Sequence, residues 1–182
     1  MRASEVVAFW TAAGRRAWFA KDANFDESVR EQLGSTHLRA SRGQLFDWER
    51  EPEGALALVL LLDQAPRNIY RGSAHAFATD AAAREVAGRA IDRGADRLAP
   101  LALQLFFYLP FEHHENAASQ ACAVDLFTAY AERGGDEDYL RYARLHAEVI
   151  ARFGRFPHRN AMLSRVSTPD EADFLKDGGF RG

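Results

Sequence analysis

The sequence predicts an all-α fold, and three observations carry that expectation. Ala occurs 33 times whereas Val, Ile and Thr together number 16, a composition that favours helix over strand. Apolar residues recur at three- and four-residue spacing through most of the chain. Asp, Ser and Pro precede these segments and Gly follows several of them, the order in which helices start and stop. At 182 residues and 20.3 kDa the expectation is one helical domain over 1–182 with a sizeable core.

Val6, Phe9, Trp10 and Ala13 make a first apolar face ended by Gly14, and a short second piece carries Trp18 and Phe19. Asp26 reads as the cap of a helix through Val29 and Leu33 towards Leu38. Asp47, Trp48 and the pair Glu51-Pro52 mark a turn, with Pro52 suited to a first helical position. Residues 55–62 are apolar on every side, which predicts a central buried helix. A buried strand is the competing reading; Leu and Ala outnumber Val there and no alternating partner strand lies nearby.

Pro66 is expected to break that helix at Ala65. Ser73 is expected to cap one long helix with Phe77, Val86, Ala87, Ala90 and Ile91 inward, closed by Gly94. Pro100 opens a segment over 101–108, and Pro110 is expected to stop it. A helix over about 117–133 ends at Gly134-Gly135. Asp136 caps the next, whose stripe is Tyr139, Tyr142, Ala143, His146, Val149, Ile150 and Phe153, with Gly154 at its end. Pro169 starts a short last helix. Short turns between successive helices predict antiparallel neighbours, hence a bundle or a stack of helix pairs.

The 23 basic and 26 acidic side chains give a net charge of −3 and a pI near 6.1, so no global basic field attracts nucleic acid or an anionic membrane. The longest apolar run falls far short of the roughly 20 residues that span a bilayer. The N-terminal residues carry Arg2, Glu5, Arg15 and Arg16 without a long apolar run, so no signal peptide is expected and the cytoplasm is the expected location. The single Cys122 excludes an internal disulfide framework and a multi-cysteine zinc site; its apolar neighbours point to an inert thiol. Basic charge is 21 Arg against Lys21 and Lys176. Arg presents a planar fork matched to carboxylate and phosphate, so its clustering carries information.

Polar residues set among apolar ones fall into three clusters. The first, Asp63-Gln64-Ala65-Pro66-Arg67-Asn68-Ile69-Tyr70-Arg71-Gly72, follows the buried run directly. Asp63 there needs a cationic partner or several donors, and Arg67 one turn on is the local candidate. The second is Leu109-Pro110-Phe111-Glu112-His113-His114-Glu115-Asn116, with Gln120 beyond. If that turn leads straight into helix, His113, Asn116 and Gln120 share a face. The third is Arg152-Phe153-Gly154-Arg155-Phe156-Pro157-His158-Arg159-Asn160, preceded by His146 on its apolar stripe. Pro66-Arg67-Asn68 and Pro157-His158-Arg159-Asn160 echo each other after apolar helix ends.

With Phe9-Trp10, Trp18-Phe19 and Phe25-Asp26, these clusters resemble the bacterial family called "domain of unknown function 924". Its pattern is a buried helix ending in Asp-Gln-x-Pro-Arg-Asn, then Pro-x-Glu-His, then Phe-Gly-Arg-Phe-Pro-x-Arg-Asn, and matches in that order run from near residue 9 to about residue 175. His114 stands where the family usually carries a small residue, and Leu163-Ser164-Arg165 where Leu-Gly-Arg is usual. The resemblance implies an all-helical, tetratricopeptide-like fold and no established activity.

Three functions compete. The leading one is a cleft that holds a small anionic molecule or an acidic peptide end through Arg67, Arg155 and Arg159, with Asp63, Gln64, Asn68, Arg71, Gln120, His146, Arg152 and Asn160 around it. Glu112, His113 and Asn160 would set orientation. The second is a hydrolytic enzyme with His113 or His158 as general base, oriented by Glu112 or Asp63, and the arginines stabilising negative charge. In the third, the polar network fixes helix packing and function lies on an outer surface. The histidines and glutamates include metal-donor types, but their spacing matches no short metal signature, and no metal or cofactor is assigned. All of this rests on the expectation that the stretches near 63, 113 and 158 converge on one water-reachable hollow.

Overall fold

Helix α1 (Ala3–Trp18) changes direction at Gly14, whose φ of 74° and ψ of 167° lie outside the helical region and divide the apolar face as its sequence predicts. The Trp18 indole N–H reaches back across that break to the Trp10 carbonyl at 2.7 Å. The computed structural model describes residues 1–180. Among these there are helices and turns and no strand. None of the helices is long and apolar enough to cross a membrane. Two compact units divide the chain, the first from Met1 to Pro110 and the second from Phe111 on.

In the first unit α2 (Ala23–Ser41) is capped by Asp22, whose carboxylate accepts from the amides of Asn24 and Phe25. Asp26 is therefore not the cap: it lies one turn inside the helix, buried, and pairs with Arg71. A 3-10 turn (Phe46–Arg50) leads into α3 (Pro52–Val59), with Pro52 in its first turn as expected. Gly54 is where the two meet. A Cβ built there would stand 1.9 Å from the Trp48 carbonyl oxygen, so only glycine allows that approach.

Pro66 does not end the buried helix. The chain widens into a π-turn (Leu60–Gln64) and continues as α4 (Ala65–Ile69). A proline removes one amide donor and crowds the carbonyl four residues back, which is Leu62. Side chains satisfy the carbonyls so released: the Thr79 hydroxyl donates to Leu62 O and Arg67 donates to Asp63 O. Leu61 O is 2.8 Å from His37 Nδ1. Residues 55–62 are all buried, as their composition requires, and α3 packs against α1 and against α5 (Asp80–Asp92).

Ser73 caps only a short 3-10 turn (Ala74–Phe77), and α5 starts separately after Thr79. Helix α6 (Leu101–Glu112) runs through Pro110, where a stop is expected. Burial of residues 103–109 outweighs the one backbone bond the proline removes. Phe106 from α6 packs edge-on to Trp10 and Trp18 at 6.0 and 5.0 Å.

In the second unit α7 (Ala117–Glu132) is capped by Asn116, and α8 (Glu137–Phe153) by Asp136. The short link at Gly134-Gly135 makes them an antiparallel hairpin, joined by Phe127, Tyr130 and Tyr139 at 6.2–6.3 Å. Gly154 closes α8 at a left-handed φ of 70°. Beyond a 3-10 turn (Pro157–Arg159), α9 (Pro169–Lys176) begins in a capping box between Thr168 and Glu171. Val149, Ile150 and Phe156 form the local core, flanked by Phe153, Phe174 and Phe180.

Candidate functional site

The first cluster belongs to the first unit and closes on itself. Asp63 is fully buried, accepts from Gln64 Nε2 at 2.5 Å and stands 3.3 Å from Arg67 Nη1. Arg67, the partner its spacing points to, also forks onto Asp80 at 2.9 and 3.1 Å. Arg71 forks onto Asp26 at 2.5 and 2.7 Å and reaches the Asn68 side chain at 3.2 Å. Asn68 Nδ2 donates to Gln64 O. Asp26 and Asp80 are remote in sequence from their arginines and carry no local signal of the pairing.

The second and third clusters meet inside the second unit. Arg159, 7% exposed, donates from Nη1 to the His113 carbonyl at 2.9 Å and lies over the Phe156 ring, 4.5 Å from its centroid. Gln120 clamps the same turn, its Nε2 donating to Glu112 O and His114 O, each at 2.7 Å. The turn does not run straight into helix, so Asn116 and Gln120 do not share a face with His113: Asn116 caps α7 and Gln120 holds the turn. His114 Nδ1 lies 2.8 Å from the Ser119 hydroxyl.

His146 sits at the centre. Its Nδ1 is 2.9 Å from Tyr142 O and 3.1 Å from Glu112 Oε1. Both are acceptors, so the ring hydrogen resides on Nδ1. Phe156 and Phe180 pack edge-on to the imidazole at 5.4 and 4.4 Å, and His158 lies 5.6 Å from Phe156 and 5.9 Å from Phe180. Burial is the main reason the His146 pKa falls from 6.5 to about 3; the Tyr142 carbonyl opposes the fall, and the positive charges of His113, Arg159 and His158 deepen it.

That shift sets a pH dependence. Unfolded, His146 takes its proton near pH 6.5; folded, only near 3, so between them the unfolded state binds more protons. The imidazole's contribution to stability is complete above about pH 6.5 and falls as pH drops towards 3, by up to about 1.4 kcal/mol per pH unit. Burial lowers the pKa of His37 as well, which adds to the loss in the same direction; the carboxyls held below their ordinary 4.5, among them Glu49, Glu115 and Glu171, lose their contribution only below that pH. Urea unfolding at pH 7 and pH 4.5 is expected to show a loss that His146→Gln reduces; an undiminished loss in the variant contradicts the assignment.

A third network pins the loop after α8. Arg165 forks onto Glu115 at 2.5 and 2.9 Å and also binds Asn160 Oδ1 and Phe156 O. Burial pushes the Glu115 carboxyl up, but the Arg165 hydrogen bonds, the Phe156 N–H and the charges of Arg165 and Arg159 together outweigh it and hold it low. Arg155 forks onto Glu171 at 2.6 and 2.8 Å, and Asn160 and Thr168 donate to the same carboxylate. Chiefly through Arg155, Glu171 is held at about 2. Arg152 lies over the Phe153 and Phe174 rings at 4.6 and 5.5 Å. Reading the sequence missed Arg165 and Glu171 as members; the family's usual Leu-Gly-Arg at 163–165 was the available signal for Arg165.

Cys122 is half-buried, and burial pushes its thiol up. Among the described residues no three His, Cys, Asp or Glu side chains stand in metal-holding geometry.

A family model described as "Bacterial protein of unknown function (DUF924)" matches residues 6–179. A solved structure of a protein of unknown function from Agrobacterium tumefaciens is similar to this chain at 45% identity, with 97% of each chain covered and a TM-score of 0.90. No curated protein matches. The chain therefore belongs to this bacterial family.

Proposed function

We propose that this family member binds a small carboxylate or phosphate at the Arg159, His113 and His158 cluster of its second unit, with Glu112 and His146 fixing the orientation. The observation that carries the reading is a convergence of side chains: Arg159 donates to the His113 carbonyl and lies over Phe156, and His146 and His158 pack on the same Phe156 and Phe180 rings. His113 and His158 are half-buried, so the cluster meets water at their edges. The other arginines first considered as anion ligands are engaged elsewhere: Arg67, Arg71 and Arg155 each fork onto a carboxylate of the same unit. Arg159 donates to the His113 carbonyl and rests its plane on the Phe156 ring.

Hydrolysis with His113 or His158 as base is the second reading; His146 is not a candidate for that base. A carboxylate beside Nδ1 is the arrangement of a general base, but such a base works best with a pKa near the working pH. With its pKa lowered to about 3, chiefly by burial, His146 stays a neutral imidazole at neutral pH.

Inorganic phosphate is the first probe. At a hundredfold excess over Kd, a bound anion raises stability by about 2.7 kcal/mol, read as a rise in Tm. Arg159→Lys keeps the charge and loses the planar fork. We expect it to fold and to weaken phosphate about tenfold, whereas Arg152→Lys leaves phosphate unchanged. Equal stabilisation of wild type and Arg159→Lys contradicts the site.

A further inference from the structure

We infer that Ser119 is an acyl-accepting nucleophile activated by His114, and that it takes small acyl groups from activated esters. Neither residue is among the anion ligands proposed above, so the two readings fail separately.

The Ser119 hydroxyl lies 2.8 Å from His114 Nδ1, within the roughly 2.6–3.2 Å over which an imidazole takes the proton of an attacking oxygen. Thr11, Ser28, Ser41 and Thr128 instead donate to carbonyls three or four residues back on their own helices, the usual partners of a helical hydroxyl. Ser119 gives up that bond and meets a ring from the turn before α7. The turn is fixed around the ring: His114 N donates to Phe111 O at 3.2 Å, and His114 O accepts from Gln120 Nε2 at 2.7 Å and from Asn116 N at 2.8 Å. Ser119 is the third residue of the 16-residue α7, its amide bonded to the Asn116 cap. The positive end of the helix dipole therefore faces the negative charge that develops on Oγ during attack. His114 and Ser119 are half-buried, and Asn116, Ala117 and Ala118, between them in the chain, are exposed. The pair thus stands at the surface of its unit, which suits a small ester.

The chemistry closes without a further reagent. Ser119 Oγ attacks the acyl carbon, its proton passes to His114 Nδ1, the bond from that carbon to the leaving oxygen breaks, and Nδ1 returns the proton to the departing alkoxide. Water then attacks the acyl-serine, giving its proton to Nδ1, which passes it to Oγ as the serine leaves. Each cycle turns one ester and one water into one acid and one alcohol. Ser73 and His75 supply an internal control: they form the same residue pair at 3.1 Å, but on a four-residue turn, with the Ser73 hydroxyl already accepting from the His75 amide.

The probe is p-nitrophenyl acetate with the full chain at pH 7, read by release of p-nitrophenolate and by mass spectrometry of the acetylated peptides. Ser119 is expected to take acetyl at least tenfold faster than Ser73, with a burst approaching one equivalent per chain. Ser119→Ala is expected to abolish the burst. His114→Ala and His114→Gln, neither of which can take up the proton, are each expected to slow acetylation of Ser119 about a hundredfold, with circular dichroism matching the wild type in at least one of them. Absence of acetyl on Ser119, or equal rates at Ser119 and Ser73 in the wild type, overturns the inference without recourse to any variant. Acetylation of Ser119 that proceeds at the wild-type rate without the imidazole overturns the role of His114.

Discussion

Asp63→Ala is expected to destabilise the protein by about 3–5 kcal/mol, measured by chemical denaturation at pH 7. The side chain is fully buried, accepts from Gln64 Nε2 and neighbours Arg67, so its removal leaves a buried amide without its acceptor and a guanidinium with Asp80 alone. Arg67→Ala removes the same pairing from the other side and takes the guanidinium away from both Asp63 and Asp80. The double variant is expected to cost less than the sum of the two single ones, because both act on one network. A loss below about 1 kcal/mol for Asp63→Ala would show that the pair does not hold the π-turn region together.

Phe156→Ala is expected to cost about 3–5 kcal/mol and to weaken phosphate binding as well. The ring has no exposed surface and packs with Val149 and Ile150; it lies beneath Arg159 and edge-on to His146. Its backbone is held independently, with the N–H donating to Glu115 and the carbonyl accepting from Arg165. Truncation therefore empties the space under the site without releasing the loop. Phe156→Leu, which retains much of the volume, is expected to cost less than about 1.5 kcal/mol but to weaken phosphate all the same, since the aromatic face under the guanidinium is gone. Unchanged phosphate affinity in both variants would separate the ring from the site.

Much of the fold was legible because its signals are local. The stripe on α8, the caps at Asp136 and Gly154, and the apolar run of α3 each declare themselves within a few residues. The failures are local too, and physical. Proline at positions 66 and 110 removes an amide donor, but burial of the flanking residues keeps the chain helical, and at Pro66 Thr79 supplies a replacement hydrogen bond from another segment. Asp26 looks like a cap one turn too late because Asp22 is equally suited.

The candidate site was legible in part. Asp63 and Arg67 are one turn apart, so their pairing follows from spacing. Arg71 with Asp26, Arg165 with Glu115, and Arg155 with Glu171 lie 45, 50 and 16 residues apart, and no periodicity joins them. Ser164 shows what a family pattern adds. It adopts a left-handed φ of 53° where glycine is usual, so the departure falls on the turn that aims Arg165 at Glu115.

The most direct measurement is an NMR titration of the full chain with inorganic phosphate at pH 7, following the side-chain nitrogens of His and Arg. Saturable shifts are expected at His113, His146, His158 and Arg159, with Arg67, Arg71 and Arg155 unmoved because each already faces a carboxylate. Shifts centred on Arg67 or Arg155, with the three histidines silent, would contradict the placement of the site.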